Sequence, residues 1–231
     1  MKILYYAITD SGKERKENQD RYIVPSESPV SGISEITELP AIFAVFDGMG
    51  GEEHGGEAAQ IALEAVKRIS DYNSCDLKRM NHIINNVLCR YMKENGIERM
   101  GTTSAFLKIK DEMAVACNVG DSSTYRFSEG RVYKLTESHS MNLGAKRVLT
   151  QHLGIPQEEM ILEPYGCRCD FRKGDVFLLC TDGLTDMVEE KRIFEIIAAS
   201  EFESMGQSLI DEALKNGGKD NVSVMLLEVE A

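Results

Sequence analysis

The chain lacks the features that mark membrane-spanning and secreted proteins. Among its 231 residues there is no tryptophan and there are only five prolines. Nowhere do apolar residues run for the ~20 positions that a transmembrane helix needs. The apolar part of the opening segment MKILYYAITD is too short for a signal peptide. We therefore expect no membrane partner and a cytoplasmic location.

The chain also lacks any C-x-x-C pair among its six cysteines. Several of them lie in apolar runs, which is typical of reduced thiols in a cytoplasmic protein. Cys167 and Cys169 flank a single arginine, so a disulfide or a metal site is the alternative there. Because structural zinc sites use two ligand pairs and no second pair is present, the sequence favours free thiols.

The net charge of −12 disfavours a nucleic-acid or anionic-membrane partner, because phosphate groups would be repelled. Acidic residues can serve solubility alone; the alternative is that some of the carboxylates converge to hold cations. No internal repeat and no linker rich in proline, serine or glycine divides the chain. A single domain over residues 1–231 is predicted.

Apolar periodicity predicts strands and helices in separate blocks. Segments such as KILYYAI, AIFAVF and DVFLLC have the apolar runs of strands, and NVSVMLLEV is predicted as a closing strand. Helices are predicted at about 57–70, 76–94, 191–200 and 202–216. Blocks of consecutive strands separated by helices favour an α+β fold with antiparallel sheets.

The segment VFDGMGGEEHGG, residues 45–56, raises the question of a nucleotide loop, because glycine-rich turns after strands often hold phosphate. The spacing from Gly50 to Gly55 fits a Walker loop, but Gly56 stands where that loop needs lysine. The dinucleotide pattern G-x-G-x-x-G also fails, since Glu53 stands where its third glycine belongs. The glycines therefore do not indicate a nucleotide site.

Aspartates recur beside small residues at the ends of predicted strands, in the pairs Asp47-Gly48, Asp121-Ser122, Asp182-Gly183 and Asp220-Asn221. A single aspartate of this kind is usually a turn former. The alternative for four is a shared cation site, because carboxylates ~4 Å apart repel by roughly 4 kcal/mol at an effective dielectric of 20. Oxygen ligands without histidine or cysteine select Mg²⁺ or Mn²⁺, and pairs of such ions serve phosphoryl hydrolysis.

Seven motifs follow one another along the chain: TDSGKERKENQD (9–20), VFDGMGG (45–51), MGTT (100–103), VGDSSTYR (119–126), LTESHS (135–140), LLCTDGLTDMV (178–188) and GGKDNVSVMLLEV (217–229). In this order they resemble the metal-dependent protein serine/threonine phosphatases of type 2C, most closely the compact bacterial branch. The resemblance covers nearly the whole chain. It implies an α-β-β-α sandwich of two antiparallel sheets flanked by helices, with a metal site at one edge.

The resemblance also implies a role for seven residues at that edge. Asp47 would bridge two metals, with the Gly48 carbonyl as a further ligand, and Asp182 and Asp220 would bind the other metal. Asp20 would hold metal-bound water, and Asp121 together with Asp182 would bind a third, weaker metal. Arg15 would bind the substrate phosphate. The implied cofactors are two Mn²⁺ or Mg²⁺ ions, with a third weaker one. A water activated between the metals would hydrolyse phosphoserine and phosphothreonine in a single step.

The implied partners are phosphorylated proteins, including a cognate serine/threonine kinase and its targets, and we expect a monomer. Two alternatives stay open: a pseudophosphatase that binds or regulates, and a phosphatase of small phosphorylated metabolites. The residues Asp47, Asp182, Asp220 and Arg15 argue against a pseudophosphatase. A protein substrate rests on family analogy.

Several positions depart from the family pattern. Gln19 and Ser138 stand where acids are common, Ser123 stands where arginine is frequent, and Met49 takes the place of a histidine proposed as general acid in eukaryotic relatives. His54 is an alternative acid, but a histidine at a helix start is the simpler interpretation.

The segment from Met141 to Lys146 is much shorter than the family's substrate-facing flap, which is followed in the family by a helix, here at Val148 to Gly154. This reduction puts the substrate range and the third metal in doubt.

Overall fold

Two antiparallel sheets stack face to face in the computed structural model of the chain, which describes residues 1–25, 32–49, 54–69, 75–144 and 146–230. The first sheet has six strands, and its central members come from the two ends of the chain and from the segment before the last helices. In order across the sheet they are β3 (Ser34–Ile36), β1 (Ile3–Asp10), β13 (Val222–Val229), β12 (Val176–Cys180), β7 (Ser123–Ser128) and β8 (Arg131–Lys134).

The second sheet has five strands, and every neighbouring pair in it is antiparallel. Most of its strands follow one another in the sequence, as the blocks of predicted strands suggested. In order they are β11 (Tyr165–Asp170), β6 (Met113–Val119), β5 (Ser104–Lys110), β4 (Ala41–Phe46) and β2 (Arg21–Ile23).

Strand β4 shows how both faces of this sheet are covered. All six of its residues are buried, and successive side chains point to opposite faces. Phe43 and Val45 pack in the core between the sheets, whereas Ile42 and Ala44 pack beneath helices. Across the sandwich, the ring of Tyr5 meets Phe43 edge to face with centroids 5.2 Å apart, a favourable geometry for aromatic pairs.

Helices α1 (Gly55–Lys67) and α2 (Leu77–Asn95) cover the outer face of the five-stranded sheet. The carboxylate of Asp76 accepts a hydrogen bond from the N–H of Arg79 and so caps the start of α2. Gly96 ends that helix in the left-handed region, with φ 67°. Both helices lie where the periodicity predicted them.

Helices α3 (Asp182–Thr185), α4 (Glu190–Ala199) and α5 (Phe202–Lys215) cover the outer face of the six-stranded sheet. Tyr6 of β1 fixes α5 against that sheet. Its hydroxyl donates to the first carbonyl of α5 at 2.6 Å and accepts from the N–H of Gly206 at 2.8 Å. The predicted α+β class and the α-β-β-α sandwich implied by the resemblance are confirmed.

A short hairpin stands where the family has a flap and a following helix. Its strands are β9 (Ser140–Leu143) and β10 (Lys146–Leu149). The expected helix at Val148 to Gly154 is wrong, because the backbone there bonds to the neighbouring strand β9 and to the distant Thr102 instead of forming helical bonds within itself. β10 pairs with β9, and Leu153 exchanges two backbone hydrogen bonds with Thr102, at 2.9 and 3.1 Å. The shortened flap itself is confirmed.

Strands β3 and β11 and the one-turn helix α3 have no counterpart among the predicted elements. Cys167 and Cys169 lie on β11 with their side chains packed against the core between the sheets, and all six cysteines are free thiols. Within the described residues, no helix has the length and apolar character to cross a membrane.

Candidate active site

Strand ends from both sheets meet at one edge of the sandwich and surround a cavity of about 390 Å³. Asp47 follows β4, Asp121 lies in the turn between β6 and β7, Asp182 begins α3 after β12, and Asp220 precedes β13. All four predicted aspartates line the cavity, together with a fifth, Asp186. The structure thus brings these four carboxylates to one cavity, as a shared cation site would require.

Asp47 and Asp182 both line the cavity and lie close enough for each to affect the pKa of the other. Burial, and then the charges of Asp182 and Asp20, raise the pKa of Asp47 well above its usual range. Burial, followed by the charge of Asp121, raises the pKa of Asp182 to about 7. Carboxylates held this close are stable only when a proton or a cation offsets their charge.

Asp47 is held by two threonines of the MGTT motif. Its backbone carbonyl accepts from the hydroxyl of Thr102 and from the N–H of Thr103, both at 2.8 Å. Its own N–H donates to the hydroxyl of Thr103 at 3.2 Å, and that hydroxyl is also 2.6 Å from the hydroxyl of Ser122. The threonines thus fix the turn from which the Asp47 carboxylate projects.

Gly48 lies where backbone segments approach too closely for a side chain. A Cβ atom there would lie 2.4 Å from the carbonyl oxygen of Gly55 and 2.9 Å from that of Gln19. Gly48 lies opposite Thr102 in a β-bridge, but the backbone hydrogen bonds of this bridge are made by its neighbours Asp47 and Met49. The Gly48 carbonyl therefore accepts none of the hydrogen bonds of this bridge. Residues 50–53 of the glycine-rich segment lie outside the described residues.

Asp20 is buried behind the cavity rather than in its wall. One carboxylate oxygen accepts from the hydroxyls of Thr181 at 2.9 Å and Ser223 at 2.6 Å. The other, Oδ1, has no hydrogen-bond partner among the described residues. Burial raises the pKa of Asp20 to about 6, against the lowering effect of those two hydroxyls. A buried acceptor without a donor is costly, so Oδ1 is a natural partner for a water molecule or an ion.

Arg15 projects from the loop between β1 and β2 and pairs with Asp220, with Nη2 and Oδ2 separated by 2.6 Å. Asn221 holds this loop. Its side-chain amide donates to the carbonyls of Ser11 and Glu17, both at 2.9 Å, and its side-chain oxygen accepts from the N–H of Gln19 at 2.8 Å. The residue after Asp220 therefore sets the position of the loop that carries Arg15 and Asp20.

Asp121 is buried and faces the guanidinium of Arg147 from β10, with Oδ2 and Nη2 separated by 3.3 Å. Burial raises the pKa of Asp121, and the charge of Arg147 opposes that rise. Arg147 also pairs with Asp186. His54, the alternative acid, begins α1 and bonds to Glu57 at 2.9 Å, outside the residues that line the aspartate cavity.

The donor set fits hard divalent cations, because it consists of carboxylate and carbonyl oxygens and includes the orphaned Oδ1 of Asp20. In the described part of the chain, no three acidic, histidine or cysteine side chains are grouped as a finished metal site. Two of the candidate ligands are instead paired with arginines, Asp220 with Arg15 and Asp121 with Arg147.

Sequence reasoning missed four residues that shape this site: Thr103, Asp186, Asn221 and Arg147. The first three lie inside the quoted motifs MGTT, LLCTDGLTDMV and GGKDNVSVMLLEV, so a signal was present although no role was assigned. Arg147 lies outside every motif. Its position could follow only from the course of the hairpin.

An α-β-β-α sandwich with carboxylates from both sheets at one edge is the arrangement that the resemblance to metal-dependent phosphatases implies. A family model described as protein phosphatase 2C matches residues 18–217. The chain therefore belongs to the protein phosphatase 2C family, and its sequence-based identification as a metal-dependent protein serine/threonine phosphatase is confirmed.

Individual proteins agree with the family assignment. The chain is 28% identical over 247 residues to the serine/threonine phosphatase stp of Listeria innocua serovar 6a, covering 95% of this chain and 93% of that protein. The crystal structure of the Mycobacterium tuberculosis serine/threonine phosphatase PstP/Ppp superposes with a TM-score of 0.81 at 24% identity, over 99% of this chain and 100% of that one. The PstP catalytic domain in complex with two manganese ions gives 0.79 at 24% identity, over all of both chains.

Proposed function

We propose that this chain removes phosphate from serine and threonine residues of proteins at the cavity lined by Asp47, Asp182 and Asp220. The observation that carries the proposal is the convergence of these three carboxylates, from strands of both sheets, beside Arg15. The binding of two manganese ions by the PstP catalytic domain, which has the same fold, supports a binuclear centre of Mn²⁺ or Mg²⁺ here.

The proposed ligand roles are those that the family resemblance implies. A central role for Asp47 is supported by the charges of Asp182, Asp20 and Asp121, all of which raise its pKa. Asp47 would bridge the two ions, with the Gly48 carbonyl on one side and the carboxylates of Asp182 and Asp220 on the other.

Asp20, whose Oδ1 lacks a protein donor, would hold a water of the first ion. Asp121, together with Asp182, would bind the third and weaker cation that the resemblance implies.

When bound, the cations lower the pKa of water toward neutrality and offset charge on the phosphoryl oxygens. The chain's own groups orient the substrate. The planar guanidinium of Arg15 can bind two phosphate oxygens at once when it leaves Asp220. Among the described residues that line the cavity there is no serine or cysteine, and the Thr103 hydroxyl is engaged with Ser122 and Asp47. Water is therefore the expected nucleophile.

The proposal extends to the substrates, the oligomeric state and the location of the protein. A cognate serine/threonine kinase and its targets are the expected substrates, by analogy with relatives named serine/threonine phosphatases. A monomer is expected because every proposed site residue comes from one chain. A cytoplasmic location is supported by six free thiols, which fit a reducing compartment.

The deciding experiment measures phosphate release from an aryl phosphate and from a phosphothreonine peptide, with Mn²⁺ and with EDTA. We expect turnover of both substrates with Mn²⁺ and none with EDTA. Asp182→Asn should lower turnover by orders of magnitude without changing the circular dichroism spectrum, whereas Asp211→Asn on the surface of α5 should leave turnover unchanged.

Release of no phosphate from either substrate would favour a pseudophosphatase. Hydrolysis of small phosphate esters, with phosphoproteins left intact, would favour a metabolite phosphatase.

A further inference from the structure

Arg147 makes four polar contacts at the mouth of the cavity. Nε lies 2.9 Å from the hydroxyl of Ser140, and Nη2 lies 3.2 Å from the hydroxyl of Ser138. Nη2 is also 3.3 Å from Oδ2 of Asp121, while Nη1 pairs with Oδ1 of Asp186. The guanidinium is thus held by two carboxylates and two hydroxyls, and two-thirds of the side chain is shielded from solvent.

The carboxylate that Arg147 contacts is the one assigned above to the third cation. Asp121 is buried, and its charge raises the pKa of Asp182, which shares that assignment. An ion bound to Asp121 would lie close to the guanidinium, and two positive groups at such a distance repel strongly in a recessed site. A third ion can therefore bind only if Arg147 moves away.

The short hairpin is what brings the arginine to this place. Arg147 is the second residue of β10 and is paired with Asn142 of β9, so its side chain starts directly above the cavity. Val148 and Leu149 of the same strand also line the cavity. Gly144 turns the chain at the end of β9 with φ 65°.

Two departures from the family pattern fit the same arrangement. Ser138 stands where an aspartate is usual, and its hydroxyl contacts Nη2. An aspartate at that position would compete with Asp121 for the guanidinium. Ser123 stands where arginine is frequent, so the turn after Asp121 carries no cation of its own. Arg147 of the hairpin supplies positive charge near Asp121, and Lys134 of β8 adds to it.

We propose that Arg147 takes the place of the third cation, so that this phosphatase binds two divalent ions and not three. The inference rests on the proposed ligand roles of Asp47, Asp182 and Asp220. The inference also gives the shortened flap a role, because the guanidinium of Arg147 on the hairpin supplies the positive charge that a weakly bound ion would otherwise supply.

The test is a metal count that does not depend on activity. Protein freed of metal is titrated with Mn²⁺ into the millimolar range, and free Mn²⁺ is measured from its electron paramagnetic resonance signal. The wild type should saturate at two ions per chain. Arg147→Gln should gain a third site that binds at least tenfold more tightly than any further ion taken up by the wild type.

Two further variants control this result. Arg99→Gln removes another arginine that lines the cavity, and it should still bind two ions. The double variant Arg147→Gln/Asp121→Asn should return to two, because the third site loses its carboxylate. Thermal unfolding followed by circular dichroism checks that each variant is folded.

Three results overturn the inference: a wild type that binds three ions, an Arg147→Gln variant that binds only two, or an Arg99→Gln variant that gains the same third site. A wild type that binds fewer than two ions overturns the proposed ligand roles as well. Loss of ions in Asp47→Asn, with a count of two in the wild type, supports those roles independently of Arg147.

Discussion

Arg15, which is proposed to bind the substrate phosphate, forms an ion pair with Asp220, which is proposed to bind metal. Nη2 of Arg15 and Oδ2 of Asp220 are separated by 2.6 Å. The hydrogen bond to Asp220 is the main cause that raises the pKa of Arg15. Metal uptake by Asp220 would weaken this pair and release the guanidinium toward substrate. Metal binding and phosphate binding should therefore be coupled through this contact.

Replacement of Arg15 should separate these two effects. Arg15→Ala removes a charge-assisted bidentate contact to phosphate, so KM for a phosphothreonine peptide should rise about 10- to 100-fold. The same variant frees Asp220, so the Mn²⁺ concentration needed for half-maximal binding should fall. Steady-state kinetics and a Mn²⁺ titration measure the two quantities.

Arg15→Lys is the matched control, because lysine keeps the charge but not the planar fork. Its KM should lie between those of the wild type and Arg15→Ala. An unchanged KM in Arg15→Ala would contradict the assigned role.

Asn221 should matter for activity although it does not line the cavity. Asn221→Ala removes the three hydrogen bonds that tie the loop of Arg15 and Asp20 to β13, and it should lower the free energy of unfolding by about 2 kcal/mol. KM should rise because Arg15 loses its anchor. Asn216→Ala, which removes one exposed hydrogen bond to Met187, is the control for unfolding in urea. If the two variants behave alike, Asn221 has no special role in positioning.

The sequence was most informative where local pattern and burial agree. AIFAVF was predicted as a strand, and β4 has those bounds, because an unbroken apolar run suits a strand covered on both faces. The aspartates were located for a related reason, since a strand fixes where the residue at its end projects. The order of the motifs then implied metal- and phosphate-binding roles for individual residues, which composition and spacing alone could not assign.

The hairpin and its arginine could not be predicted in this way. The backbone of Val148 bonds across to β9, and that of Leu153 bonds to Thr102. The conformation of residues 148–154 is therefore decided by contacts with other segments of the chain. The contact of Arg147 with Asp121 depends in turn on the hairpin. Sequence periodicity reports local burial, and it carries no information on such pairings.

The metal-free protein should become more stable as the pH falls from 8 toward 5. Burial raises the pKa of Asp20 to about 6 and that of Asp182 to about 7, above the usual value of about 3.9 in an unfolded chain. The folded state therefore keeps protons that the unfolded state releases, and this stabilisation is lost as the pH rises through 6 and 7. The melting temperature in EDTA, measured across this range, checks the sign.

Saturating Mn²⁺ should flatten that pH dependence, because cations then replace the protons between the carboxylates. Asp20→Asn should also weaken it, since the variant removes one of the titrating groups. A melting temperature in EDTA that falls as the pH is lowered from 8 to 6 would show that the carboxylates are not held as the structure has them.

Gly48 should tolerate no side chain, for steric reasons that are independent of its proposed ligand role. In Gly48→Ala the new Cβ would lie 2.4 Å from the carbonyl oxygen of Gly55, which is backbone and can move only if the start of α1 shifts. We expect a loss of about 1–3 kcal/mol in the free energy of unfolding, as for an overpacked core, together with a large loss of turnover. Gly56→Ala is the matched control, because its Cβ would meet only the Gln19 side chain at 3.4 Å and alanine favours the helix. Urea unfolding and aryl phosphate hydrolysis should therefore separate the two variants, and equal behaviour would contradict the close approach at Gly48.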